Sequence, residues 1–201
     1  MESHDIFLVF VEGSEGNEEA YAEWFSGTHM SDMLGLPGVL SAKAYRLASL
    51  DGGEIPAQLC AIYDTVDGPG ILDTIAAAKG TDALPASELQ GRMTWRVLEG
   101  CEAKAFGKEP PAPDVLICMF GGPFIDEIDA HLYQWLCSNP QGIGAVRQTR
   151  LSPVQPSRGS EYGSVLLVDL TSSADPSYLA QAIADHRSAA DSRFLLARPS
   201  G

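Results

Sequence analysis

Residues 6–11 read Ile-Phe-Leu-Val-Phe-Val, and this apolar run decides the fold of the 201-residue chain. Six apolar residues have the length of a β-strand, and the lack of polar alternation predicts that both faces of the strand are covered. A second run, Val-Leu-Ile-Cys-Met-Phe at residues 115–120, stands at the corresponding place in the second half of the chain. The two runs indicate two units that each begin with a buried strand.

The elements that follow each run come in the same order. After the first run, the patterns predict a helix, two strands, a helix and a strand, at residues 18–33, 39–47, 58–65, 71–79 and 94–102. After the second run they predict the same series, at residues 125–137, 142–151, 164–170, 176–186 and 193–197. Gly38 aligns with Gly142 and Trp24 with Trp135. The sequence therefore predicts the order β-α-β-β-α-β twice.

This order predicts an α+β fold of two ferredoxin-like repeats. Each repeat has helices on one face of its sheet, so the bare faces are expected to pack sheet to sheet, as an intramolecular α+β barrel. The predicted domains are a first repeat with the candidate pocket at 1–107, a proline-rich linker at 108–113, and a second, degenerate repeat at 114–201. The repeats form a pseudo-dimer within one chain, and a homodimer stays open. The matching positions of Arg46 and Arg150 predict an ion pair between the repeats.

The charge of the chain excludes two classes of partner. The formal net charge is −14, whereas nucleic acids and anionic membranes need a basic face. The apolar run at residues 6–11 is too short for a signal peptide or a membrane span, so a cytoplasmic protein is expected. The four cysteines show no metal-ligand spacing, and the chain has no phosphate-binding glycine motif. We therefore expect neither a metal nor a cofactor.

One segment carries a resemblance to a known family. Residues 29–46 read His-Met-Ser-Asp-Met-Leu-Gly-Leu-Pro-Gly-Val-Leu-Ser-Ala-Lys-Ala-Tyr-Arg. This segment resembles the EthD-like branch of the dimeric α/β-barrel superfamily, where a His-x-x-Asp-x-Leu segment ends the first helix and a Pro-Gly begins a strand. The resemblance implies the same barrel and a place for His29 in a pocket between helices and sheet. It implies little about the reaction, because members include isomerases, cyclases, monooxygenases and haem-degrading enzymes.

His29 is the first candidate catalytic residue. It lies on the same predicted helix face as Tyr21 and Phe25, and an imidazole at an apolar pocket can transfer protons near neutral pH. The alternative is a histidine that caps the helix end. Asp32, one helical turn further on, is predicted to orient the imidazole. Its alternative role is a turn carboxylate before Gly35.

Aromatic side chains complete the predicted site. Tyr45 is predicted to stabilise an oxyanion by donating its phenol proton into a hydrogen bond. Substrate contacts are predicted for Trp24, Phe25, Tyr63 and Trp95. Each of these aromatic residues has the alternative role of ordinary core packing.

A difference in length between the two repeats suggests which one carries the site. The interval from Trp24 to Gly38 is seven residues longer than that from Trp135 to Gly142, and it contains His29. The sequence therefore favours a cofactor-independent enzyme that acts by proton transfer on a small, mostly apolar, oxygenated compound. Isomerase, lyase and cyclase reactions stay open. The alternatives are a small monooxygenase, cofactor-free or haem-dependent, and a non-catalytic binding or stress-related protein.

Overall fold

The fold is taken from a computed structural model, which describes residues 4–106, 114–121, 126–138, 141–151, 157–158, 162–187 and 192–200. The strands are β1 (His4–Gly13), β2 (Val39–Ser49), β3 (Leu59–Thr65), β4 (Gln90–Ala105), β5 (Val115–Gly121), β6 (Ile143–Leu151), β7 (Ser157–Arg158), β8 (Tyr162–Leu170) and β9 (Ser192–Pro199). The helices are α1 (Glu18–Trp24), α2 (Met30–Leu34), α3 (Gly68–Ala78), α4 (Asp126–Ser138) and α5 (Pro176–Arg187), and a π-helical turn (Phe25–His29) joins α1 to α2.

The strands form an antiparallel barrel. Their order is β1-β3-β2-β9-β5-β8-β6-β4, and β4 returns to pair with β1. The short strand β7, which the sequence does not predict, adds beside β4. Each half has the spatial order fourth, first, third and second strand, counted along that half without β7. The predicted α+β class is confirmed, and the helices lie outside the barrel.

The two faces of β1 show why its sequence is apolar throughout. Ile6, Leu8 and Phe10 point into the barrel, where they join Leu98, Ile117 and Leu167 in one buried cluster. The alternate residues Phe7, Val9 and Val11 point outward and are buried under α1, α2 and α3. The cover on both faces that the run predicts is confirmed.

The halves are joined by hydrogen-bonded strands as well as by packed side chains. Strand β2 pairs with β9, and β4 pairs with β6, so the barrel is one continuous sheet. This differs from the prediction of two sheets packed face to face, because each half provides free strand edges that pair with the other half.

An ion-pair cluster also crosses between the halves. The guanidinium of Arg147 on β6 lies 2.7 Å from Asp169 and 3.8 Å from Asp64 on β3. The prediction that Arg46 pairs across the halves is wrong, since it binds Glu19 of its own half at 2.6 Å. The side chain of Arg150 lies outside the described residues.

Three further observations concern single parts of the chain. Cys60 and Cys118 are buried, and neither forms a disulfide with a described residue. The predicted linker at 108–113 lies outside the described residues. Where the structure describes the chain, none of its helices has the length and apolar character needed to cross a bilayer.

Candidate functional site

A pocket lies between the helices and the sheet of the first half. Its volume is about 130 Å³, and its lining is mainly aromatic and aliphatic. The floor is the outer face of β1, β3 and β4, one wall is α1 with the π-helical turn, and the opposite wall is α3 with the loop that follows it. The exposed residues Lys79, Pro85 and Ala86 form the mouth.

The π-helical turn places His29 in the wall of the pocket. The predicted helix is continuous here, but its middle is wound as a π-helix, a rare conformation that is found mostly at functional sites. The imidazole lies between two aromatic rings, at 5.0 Å from Trp24 and 5.1 Å from Phe25 between ring centroids. Three of the predicted site residues, Trp24, Phe25 and His29, therefore form one stack on the pocket wall.

Burial controls the charge of His29. Removal from water lowers the pKa of its imidazole to about 4, and the nearby charge of Asp32 opposes part of that shift. His29 is therefore neutral at pH 7. Its Nδ1 is buried and has no hydrogen-bond partner among the described residues.

Asp32 does not hold the imidazole as the sequence predicts. Its Oδ2 is also buried without a hydrogen-bond partner in the described part of the chain, and it does not line the pocket. Asp32 acts on His29 through its charge alone, because the two side chains share a Coulomb interaction but no hydrogen bond.

The pocket floor contains the other two predicted substrate contacts. The ring of Phe7 lies 5.8 Å from that of Tyr63 and 6.0 Å from that of Trp95. Tyr63 is buried, and burial raises the pKa of its phenol well above the ordinary value. The phenol therefore stays protonated and can act as a hydrogen-bond donor.

The structure does not bring Tyr45 to this pocket. Its side chain points into the barrel with Ile62 and Leu195, on the opposite face of the sheet from His29. The reason is the period of two in a β-strand: Ala42 and Ala44 of β2 face the helices, so Tyr45 faces inward. The sequence correctly predicts that the strands of Tyr45 and Tyr63 are neighbours, but it does not predict that the two side chains lie on opposite faces of the sheet.

Several lining residues are absent from the predicted site. Tyr21 was predicted only as an apolar helix position, yet it lines the pocket, stacks on Phe25 at 5.7 Å and has a phenol pKa that burial raises. Tyr21 lies eight residues before His29, on the same helix face, and this spacing was the signal that could have placed it in the site. Met33, four residues after His29 in the same predicted helix, had the same signal. The others come from distant elements that no local pattern connects: Phe7, Val9, Leu72, Ile75, Lys79, Leu84, Pro85, Ala86, Ser87, Gln90 and Met93.

The site offers no set of metal ligands. Among the described residues, no three histidine, cysteine, aspartate or glutamate side chains are grouped to hold an ion. Among the described residues that line the pocket, the titratable groups are a neutral imidazole, two phenols and one lysine.

Comparison with known proteins finds likeness in structure but not in sequence. The chain matches no protein-family model and no curated protein sequence. Solved structures match over nearly the whole chain. An anthrone oxidase-like protein matches with a TM-score of 0.59 and 12% identity, over 100% of this chain and 94% of that one.

Two further solved structures have the same barrel. A "Putative monooxygenase" from Fusobacterium nucleatum matches with a TM-score of 0.56 and 14% identity, over 100% of this chain and 94% of its own. A heme-binding protein from Thermus thermophilus matches with a TM-score of 0.51 and 12% identity, over 99% and 92%. At these identities the likeness shows the fold alone, an α+β barrel.

Proposed function

We propose that the first half of the chain is a cofactor-independent enzyme that removes a proton from carbon next to a carbonyl in a small, mostly apolar compound. The single observation that carries this proposal is the neutral imidazole of His29 at the wall of an aromatic pocket. A neutral imidazole can accept a proton, and the apolar lining keeps water from competing for it.

Each chemical step has a candidate residue. The substrate ring packs on Phe7, Tyr63 and Trp95, which holds the acidic C–H near His29. The imidazole takes the proton, and the negative charge moves onto the substrate oxygen as an enolate. Tyr63 or Tyr21, in place of the predicted Tyr45, donates a hydrogen bond to that oxygen. Return of the proton to a second carbon gives an isomerase, and loss of a leaving group from the enolate gives a lyase. Attack of the enolate carbon on a second carbonyl of the same substrate, with return of the proton from His29 to the new alkoxide, gives a cyclase.

A second candidate is a cofactor-free monooxygenase. It is favoured by two structural neighbours, the anthrone oxidase-like protein and the "Putative monooxygenase". The same carbanion would react with dioxygen: a methylene loses two hydrogens and gains one oxygen atom, and the other oxygen leaves as water. Both candidates therefore begin with proton removal by His29.

A haem does not fit this pocket. A cavity of about 130 Å³ is similar to the roughly 150 Å³ apolar cavity that binds one benzene, whereas a porphyrin has four pyrrole rings. A metal-ligating histidine also donates the N–H of its second ring nitrogen to a hydrogen-bond partner, and His29 Nδ1 has no such partner among the described residues. We therefore route no step through haem.

The test uses 2-tetralone, a neutral bicyclic ketone with acidic protons next to its carbonyl. We expect the protein to catalyse exchange of those protons in D₂O, followed by NMR, and His29→Phe to lower the rate about a hundredfold or more. His186→Phe is the matched control, because His186 also stacks on a tryptophan, Trp135, at 5.3 Å. Full exchange in His29→Phe, with folding intact, would contradict the proposal. Oxygen uptake measured in parallel separates the monooxygenase.

The finer assignments complete the proposal. We propose that the halves arose by tandem duplication, that the domains are 1–107 and 114–201 around a linker at 108–113, and that the chain belongs to the EthD-like branch. The equal strand orders of the halves and the segment at 29–46 support this history. The proposed partner is a small-molecule substrate, in the cytoplasm, and a homodimer stays open.

A further inference from the structure

The pocket of this strongly acidic chain has no acidic side chain among the described residues that line it. The chain contains 27 aspartates and glutamates and has a net charge of −14. Those described residues include one cation, Lys79, and His29 is neutral at pH 7. The charge that a ligand would meet at this lining is therefore the ammonium of Lys79, and this favours an anionic group on the ligand.

Lys79 and His29 stand on opposite walls. Helix α3, which Lys79 follows, packs on β1 and β4, whereas α2 and the π-helical turn pack on β2. The backbone N–H of Lys79 donates to the carbonyl of Ile75 at 2.9 Å, which fixes the start of the side chain at the end of α3. The side chain is exposed at the mouth, and no described residue forms an ion pair with its ammonium. A ligand that spans the pocket would reach both groups.

We propose that the pocket selects a small aromatic carboxylate whose ring lies on the aromatic floor and whose carboxylate binds Lys79. This inference rests on the proposed function, since it names the substrate class of the same site. The cavity encloses one ring, as in the benzene-sized comparison above, and a second ring or a short chain would extend to the mouth. Ser87 lines the same side of the pocket and adds a hydroxyl to the polar end.

The size of the expected preference for a carboxylate follows from the exposure of Lys79. An ion pair at the mouth remains partly hydrated, so the carboxylate should bind only about fivefold more tightly than a neutral analogue. The preference should also weaken as salt is added, because exposed charges are screened.

The test compares 2-naphthoate with 2-naphthalenemethanol, which share a ring system and differ in charge. Binding is measured at pH 7 and low salt by quenching of tryptophan fluorescence, since Trp24 and Trp95 line the pocket. We expect the wild type to prefer 2-naphthoate about fivefold. Lys79→Gln should lose that preference without weaker binding of the alcohol.

Lys43→Gln is the matched control, because it removes the same charge from an exposed lysine of β2 outside the pocket. It should keep the preference. The proposal is overturned if the wild type shows no preference or no binding of 2-naphthoate, if Lys79→Gln keeps the preference, or if Lys43→Gln loses it equally. Because 2-tetralone has no carboxylate, its exchange by the wild type tests the proposed function separately from the carboxylate preference. Exchange without carboxylate preference would therefore remove this inference and leave the proposed function standing.

Discussion

The second helix of each half covers its sheet to a different extent. In the second half, Leu179 and Ile183 of α5 are 5% and 0% exposed, and they pack directly on the outer face of β5, β8 and β9. In the first half, Leu72 and Ile75 of α3 are partly buried and line the cavity. Among the described residues, the same strand order therefore carries a helix packed directly on the sheet in the second half and a helix that borders a pocket in the first.

The aromatic stacks of the two halves differ in the helices that they join. In the second half, Trp135 of α4 stacks on His186 of α5, so the stack joins two helices. In the first half, Trp24 stacks on His29 of the same helical segment, so the stack leaves α3 apart from α1. The longer interval of the first half, which contains the π-helical turn and α2, supplies the imidazole of this stack.

The largest expected effect is on stability, and it compares the packing of α5 with that of α3. Ile183→Ala should lower the free energy of unfolding by about 2–5 kcal/mol, because it opens a cavity under a fully buried side chain. Ile75→Ala should cost roughly half as much or less, since Ile75 already borders a cavity. Urea denaturation measures both. Equal losses would mean that the two layers are equally packed.

The next effect is the pH dependence that His29 gives to the first half. The folded pKa is about 4 and the unfolded value is 6.5, so the unfolded state binds the proton first as the pH falls. Stability is therefore lost from about pH 6.5 down to about pH 4, by about 3 kcal/mol in total. His29→Phe should remove this loss, as measured by urea denaturation at a series of pH values. His186→Phe, at an exposed position in the second half, should leave the pH profile unchanged.

Filling each helix layer with a larger side chain should give opposite results. Leu72→Trp places its new ring in the pocket, so binding of 2-naphthalenemethanol should be lost while the melting temperature is kept or raised. Leu179 is 5% exposed and packed in the outer cluster of the second half, so Leu179→Trp should cost about 1–3 kcal/mol through overpacking. Both are followed by thermal melting. If both variants were tolerated equally, the second half would have to hold unfilled space as well.

The smallest effect concerns Asp32. Its charge raises the pKa of His29 against the larger effect of burial, so Asp32→Asn should lower the pKa of His29 further. NMR titration of the imidazole measures the change. Asp73→Asn, at an exposed position on α3, is the control that should not shift it. A rise in the pKa of His29 in Asp32→Asn would contradict the electrostatic role.

The fold followed from the sequence because its signals are local. The unbroken run at residues 6–11 requires cover on both faces, and the barrel supplies it with Phe10 inside and Val9 outside. Gly38 and Gly142 align in sequence, and both adopt the left-handed conformation, with φ of 87° and 77°, that glycine tolerates best. Such requirements are visible in a few neighbouring residues, so periodicity and turn chemistry predict them.

The sequence predicted the candidate site only in part. The sequence determined that His29 shares a helix face with Tyr21 and Phe25, because residues four apart lie on one side of a helix whatever covers it. It did not determine that Tyr45 points into the barrel or that Asp32 makes no hydrogen bond to His29. It also did not determine that Lys79 lies on the wall of the pocket opposite His29. Those facts depend on which face of each strand turns outward and how far α3 lies from α1. Contacts between distant segments decide both, and only the tertiary structure contains them.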